Sequence, residues 1–153
     1  MLTLGLVSDT HGVVPRSVFD ALAGVDEILH AGDVGGAAVE VELEQIAPVV
    51  AVAGNMDLAG SWPDERLLVR EGRRILLIHD IGQVHQPSRD FMARAVHQRA
   101  DLVVFGHSHR PADFQIGPIR YLNPGSAGHA RHAPSTVARL TLSDEVRVEH
   151  LRL

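Results

Sequence analysis

Leu2-Thr3-Leu4-Gly5-Leu6-Val7-Ser8-Asp9-Thr10-His11-Gly12 is an apolar run that ends at a serine and then presents an acid and an imidazole two residues apart. An apolar run of this length, bounded by turn-forming residues, reads as a buried β-strand over residues 2–8. The same arrangement recurs downstream. Residues 27–30 lead to Ala31-Gly32-Asp33, residues 49–53 to Gly54-Asn55, residues 74–78 to His79, and residues 102–105 to Gly106-His107-Ser108-His109. Between these runs lie helical patterns. Pro15 opens an amphipathic stretch to residue 22, and residues 37–46 place Val39, Leu43 and Ile46 at helical spacing before Pro48. Residues 88–99 fit a helix with Ser88 as N-cap and Phe91, Ala95 and Val96 along one face.

Strand–helix–strand alternation with short connections predicts a largely parallel sheet with right-handed crossovers. Residues 66–69 and 74–78 flank Arg70-Glu71-Gly72-Arg73, which reads as a hairpin with a glycine turn. Further short β segments are expected over 114–116, 119–122, 136–142 and 146–151. No linker, repeat or low-complexity segment interrupts the chain, so one domain over 1–153 is expected.

Composition narrows the chemistry. With 153 residues, 45% hydrophobic and 22% charged, the chain has the make-up of an ordinary globular domain. No apolar stretch reaches membrane-spanning length, and no basic region precedes the first apolar run, so no membrane association, no secretory signal and a cytoplasmic location are expected. The absence of cysteine excludes disulfides, thiolate nucleophiles and thiolate metal sites. All 14 basic residues are arginine, which excludes Schiff-base and Walker-lysine chemistry. A net charge of −5 argues against tight binding to long nucleic acids. Ten histidines without a cysteine point to a metal site made of nitrogen and oxygen.

Position supports that site. Asp9, Asp33, Asn55, His79 and His107 stand 24, 22, 24 and 28 residues apart, each step one supersecondary unit that returns the chain to the same sheet edge. In open α/β sheets that edge, beyond the carboxyl ends of the strands, is where ligands bind. Residues two apart in an extended segment share a side, so Asp9 with His11 and His107 with His109 are expected to face one cavity. Gly32, Gly54 and Gly106 precede candidate ligands, where a sharp exit and a close backbone approach are needed. The seven candidates, Asp9, His11, Asp33, Asn55, His79, His107 and His109, exceed the needs of a single zinc and suit two metals sharing a carboxylate. Two divalent cations outweigh two carboxylates by two charges, which a hydroxide and a phosphodiester would neutralise.

Asp9-Thr10-His11, Gly32-Asp33, Gly54-Asn55, His79 and Gly106-His107-Ser108-His109, in this order, resemble the signature of calcineurin-like metallophosphoesterases. The compact length and Asn123-Pro124-Gly125-Ser126 are similar to the small prokaryotic phosphodiesterase branch, and the resemblance runs from residue 3 to about 127. It implies a four-layer α-β-β-α sandwich with two mixed sheets and a dinuclear centre. Asp9, His11 and His109 would hold one metal and Asn55, His79 and His107 the other. Asp33 would bridge, having two carboxylate oxygens, and Asn55 would bind through its amide oxygen and leave its NH₂ for a phosphate. Manganese is the first choice of metal, with iron, nickel and zinc also suited to imidazole.

The function implied is hydrolysis of a small phosphodiester or nucleotide by in-line attack of a metal-bridging hydroxide. Asp33, Asn55 and His107 would carry catalysis, and Asn55 with Arg110 would bind the phosphate, Arg131 assisting. A phosphomonoesterase with the same site and a non-catalytic scaffold of the retromer-subunit type stand as alternatives, and self-association is left open.

Two positions depart from the pattern. Met56 replaces a histidine that assists the leaving group in larger relatives, which leaves Asp57 and His85 as candidate acids. Asp80 replaces a glycine, either as a solvated loop residue or as a partner that raises the basicity of a neighbouring imidazole. His30 is either a core histidine or a donor supporting the ligands. His129 and His132 read first as a surface loop and second as cleft candidates, Trp62 is a loop anchor or a stacking platform, and His97 and His150 read as surface.

Overall fold

The computed structural model describes residues 1–128 and 133–153. In chain order the elements are β1 (Leu2–Val7), α1 (Ser17–Ala21), β2 (Glu27–His30), α2 (Ala37–Glu44), β3 (Val49–Ala51), β4 (Glu65–Arg70), β5 (Arg73–Ile78), β6 (Gly82–Gln83), β7 (Gln86–Pro87), α3 (Arg89–His97), β8 (Leu102–Val104), β9 (Pro111–Ile116), β10 (Ile119–Pro124), β11 (Thr136–Leu142) and β12 (Val146–Arg152).

Two five-stranded sheets run β12-β11-β1-β2-β3 and β4-β5-β8-β10-β9. In the first, the parallel strands β1-β2-β3 form one side and the antiparallel β11 and β12 the other; in the second, the parallel strands β5-β8-β10 lie in the middle with antiparallel β4 and β9 at the edges. The sheets face each other across Leu4, Leu6, Leu29 and Val52 from one and Ile75, Leu77, Val104 and Leu122 from the other. The outer face of the first sheet is covered by Val18 and Leu22 at α1 and by Val39 and Leu43 of α2. The outer face of the second packs on Phe91 and Ala95 of α3. Four layers result, α-β-β-α, as expected. Among the described residues no helix is long and apolar enough to cross a membrane.

Local chemistry accounts for most boundaries. Ser88 Oγ accepts the Phe91 N–H at 3.2 Å and caps α3. Glu71 and Gly72 both take positive φ, 48° and 71°, which gives the β4–β5 turn the twist a two-residue hairpin needs. One difference from expectation is topological: where strand–helix alternation predicted one largely parallel sheet, the parallel strands are divided between two mixed sheets, because hairpin-linked strands flank them. The others are short-range. α1 keeps only five residues, and β3 ends at Ala51 because the chain already turns towards Gly54. Val96 is 61% exposed, so the apolar face of α3 is narrower than its pattern implied. β9 starts at Pro111, where it pairs with Pro124, and the β6–β7 hairpin was not foreseen.

Candidate metal centre

The carboxyl ends of the central parallel strands meet above the interface between the sheets. β1 delivers Asp9, β2 Asp33, β3 Asn55, β5 His79 and β8 His107 and His109. The loops are laced together: Asp9 N–H donates to the Gly32 carbonyl and His11 N–H to that of Asp33, both at 3.0 Å, and Gly106 N–H reaches the His79 carbonyl at 3.0 Å.

One ligand atom from each of Asp9, His11, Asp33 and His109 lies within 4.8 Å of the others. Asp9 Oδ1 stands 3.2 Å from His109 Nε2 and 3.8 Å from His11 Nε2, and the two imidazole nitrogens face each other at 3.3 Å. A second group adjoins the first. Asn55 Oδ1 lies 3.0 Å from His79 Nε2 and 3.2 Å from His107 Nδ1, while His79 Nε2 is 3.3 Å from Asp33 Oδ2. The same Asp33 Oδ2 is 3.8 Å from His11 Nε2 in the first group. All seven sequence-predicted ligands therefore come together as two sets with Asp33 between them. One detail changes: Asp33 faces both sets with a single oxygen, because Oδ1 is occupied by the Met56 N–H at 2.8 Å.

These donors fit cations. Asp9 Oδ1 is buried and has no hydrogen-bond partner, an arrangement that is costly unless something positive meets it. Its other oxygen is held by the Ser8 hydroxyl at 2.6 Å and the His107 N–H at 3.1 Å. His79 Nδ1–H donates to the Ala31 carbonyl at 2.8 Å, so its Nε2 carries a lone pair and points it at two oxygens. Oxygens and nitrogens with lone pairs turned towards one another need a proton or a metal between them.

The backbone is also specialised. Asp9, His11, Asp33, His107 and His109 have φ of 53°, 47°, 53°, 72° and 60°. The paired side chains thus converge through left-handed loop residues beyond the strand ends, not through an extended segment. His107 and His109 share the cleft but split between the two donor sets. Glycine is required around them: a Cβ on Gly54 would run into Asp33, and one on Gly106 into Ser8.

His30 is a buried core histidine that supports the loops. The Gly32 N–H donates to its Nδ1 at 3.1 Å, so Nε2 carries the proton and meets Thr10 Oγ1 at 2.9 Å; that hydroxyl donates in turn to the Val34 carbonyl. Burial, offset in part by the Asp57 charge, pushes its pKa down to about 3. Asp57 is not available as an acid. Burial raises its pKa, but N–H bonds from Gly54, Gly35 and Val34 outweigh that and hold it below the ordinary carboxylate value. His85 packs its ring on Phe114, centroids 4.7 Å apart, and belongs to neither donor set. Asp80 sits as a solvated turn residue: Oδ1 accepts the Gly82 N–H, while Oδ2 stands 3.8 Å from His107 Nε2, beyond hydrogen-bond distance. Arg110 is exposed, and among the described residues nothing engages its guanidinium. Trp62 is anchored by its Nε1–H to Glu40 at 2.7 Å. His97 is exposed as expected, whereas His150 bonds the Asn123 carbonyl at 2.8 Å and is not plain surface. His129, Arg131 and His132 lie outside the described residues.

Sequence reasoning undervalued Asn123-Pro124-Gly125-Ser126. Asn123 is buried and donates to the Gly106 carbonyl and Ser108 Oγ, while Ser126 Oγ bonds the Asp9 carbonyl at 2.8 Å. The segment clamps the two loops that carry most of the ligands. A polar tetrapeptide ending a buried strand was the available signal.

The model of the calcineurin-like phosphoesterase superfamily domain matches residues 2–145. A probable metallophosphoesterase of Methanothermobacter thermautotrophicus is 34% identical over 151 residues, covering 94% of this chain and 88% of that protein. A solved archaeal phosphodiesterase superposes with a TM-score of 0.82 at 20% identity, over 99% of this chain and all of that one. Vps29 of Chaetomium thermophilum superposes with a TM-score of 0.81 at 18% identity, over 99% and 97% of the two chains; at these identities the likenesses concern the fold.

Proposed function

The chain belongs to the calcineurin-like phosphoesterase superfamily, and from that premise we propose that it is a dinuclear-metal phosphodiesterase that hydrolyses small diesters by in-line displacement at phosphorus. The observation that carries this reading is the pair of donor sets meeting at Asp33 Oδ2. Asp9, His11 and His109 would hold one divalent ion and Asn55, His79 and His107 the other, with manganese suited to the mixed imidazole and oxygen donors. Such ions supply Lewis acidity and ionise water near neutral pH.

The chain's own groups do the remainder. With Asn55 Oδ1 turned towards the imidazoles, its NH₂ is left to donate to a phosphate oxygen. The Arg110 guanidinium offers a two-pronged contact to the same phosphate. Asp33 is fixed by the Met56 N–H, so the oxygen shared by the two sets stays in place. The Met56 thioether has no proton to give and Asp57 is held ionised, so leaving alcohols of low pKa are the favoured ones.

The test is to strip the protein of metal, refill it with Mn²⁺, and assay bis-p-nitrophenyl phosphate beside p-nitrophenyl phosphate. Hydrolysis of the diester alone is the expected result. Preference for the monoester would make the enzyme a monoesterase. No turnover with any divalent metal, together with stable binding of a partner protein, would make the chain a scaffold.

A further inference from the structure

Beside the donor sets lies a cavity of about 550 Å³, within the size range of small-molecule sites, which the metal chemistry does not use. It shares a loop with the centre. Met56 and Asp57 line it and directly follow Asn55, and Gly35, two residues after Asp33, lines it too. Met56 also donates its N–H to Asp33, so this wall is tied directly to the shared carboxylate.

The lining sets the chemistry of the occupant. One flat wall is the Trp62 indole, its N–H tied to Glu40 and its body packed against the core under α2. Leu58 and Met56 also line the cavity and are 82% and 72% exposed. Among the described residues no arginine or histidine lines the cavity, and the charged groups that do are the carboxylates of Glu40 and Asp57. Asp57 is taken up by three backbone N–H groups, while Glu40 has one oxygen on Trp62 and, among the described residues, none on the other. A second phosphate or a carboxylate would be repelled here. An uncharged, flat group with an N–H donor would stack on the indole and meet the free Glu40 oxygen.

We propose that this cavity seats the amino-bearing base of a nucleotide diester whose phosphate lies at the donor sets. The substrate class rests on the phosphodiesterase reading; the base site itself does not. Trp62 is the one tryptophan of the chain, so its fluorescence reports on the cavity directly. Metal-free protein titrated with adenosine should show saturable quenching. L58E, at an exposed position, should weaken that binding about tenfold without changing the melting temperature, and purine riboside, which lacks the amino group, should bind about tenfold more weakly than adenosine.

In the Mn²⁺-loaded protein, L58E should raise KM about tenfold for p-nitrophenyl adenosine 5′-phosphate and leave that for p-nitrophenyl methyl phosphate unchanged. Hydrolysis of both diesters with equal KM and no quenching overturns the base site and leaves the phosphodiesterase standing. Saturable, Leu58-sensitive quenching with no hydrolysis of either diester upholds the base site and overturns the phosphodiesterase. Equal binding of purine riboside and adenosine overturns the contact to Glu40.

Discussion

His30 should make the stability of the metal-free protein fall steeply in mild acid. In the folded chain Nδ1 accepts the Gly32 N–H and Nε2–H serves Thr10, so a second proton would set one N–H against another inside the core. Burial drops the pKa from 6.5 to about 3. The unfolded chain takes up that proton near pH 6.5 and the folded chain does not, so the unfolded state binds more protons throughout the window between the two values. Stability from this group is therefore complete above pH 6.5 and is lost as pH falls towards 3. A gap of this size corresponds to about 5 kcal/mol over the whole window, of which about 2 kcal/mol is already lost at pH 5. Urea unfolding of the wild type and of His30→Gln, in EDTA at pH 7.5 and pH 5, isolates the effect, because all other titrating groups are common to both proteins. The variant should be less stable at pH 7.5 but should lose about 2 kcal/mol less than the wild type between the two pH values. Equal losses in both proteins would refute the account of His30 as a neutral, doubly bonded core residue.

Asp33→Asn keeps an oxygen for the Met56 N–H, so it should fold normally in EDTA yet abolish diester hydrolysis and lose about 2–3 kcal/mol of the stabilisation that saturating Mn²⁺ adds, read by thermal melts with and without metal. Full activity would refute the bridging role. Gly54→Ala sets a Cβ against the Asp33 side chain and backbone, so metal affinity measured by chelator competition should fall at least about tenfold. Asn123→Ala strands the Gly106 carbonyl and the Gly125 N–H in the interior, a loss of about 3 kcal/mol that should lower Tm by about 10 °C in a melting scan. At His109, where φ is 60°, the glycine variant should be more stable than the alanine variant by about 1 kcal/mol in urea unfolding, the reverse of the order at ordinary positions.

Much of the site was legible because its grammar is local. An apolar run that stops at Gly-Asp, Gly-Asn or Gly-His declares both a strand and the residue presented at its end, and the spacing between runs declares the return to a common edge. That is why the seven candidates could be placed at one sheet edge from residues 2–109, whereas the division into two sheets and four layers followed only from the resemblance of the motifs to a known family. Properties that depend on what approaches from elsewhere in the chain were hidden. Asp57 looks in sequence like a proton donor beside Asn55, and only the folded loops of residues 33–35 and 54–57 surround it with three N–H groups that forbid the role. Val96 fits the helical stripe, yet α3 lies so that Phe91 and Ala95 fill the contact and leave it outside.

The most consequential hidden property is the backbone of the ligands themselves. Aspartate and histidine carry no sequence mark of positive φ, yet five of the seven candidates adopt it, at a cost on the order of 1 kcal/mol or more each. Strain of that kind persists only where surrounding bonds over-determine it, and they do: Asp9 and His11 are held by carbonyls of the β2 loop, and His107 by the Asp9 carboxylate. The polar groups at these strand ends are thus not simply residues that happen to face water. Their loops are locked into a costly shape that aims unpaired lone pairs inward, by contacts made within the protein. It follows that the donor sets are pre-organised by the fold, and that a metal bound there would spend little of its binding energy on shaping the loops.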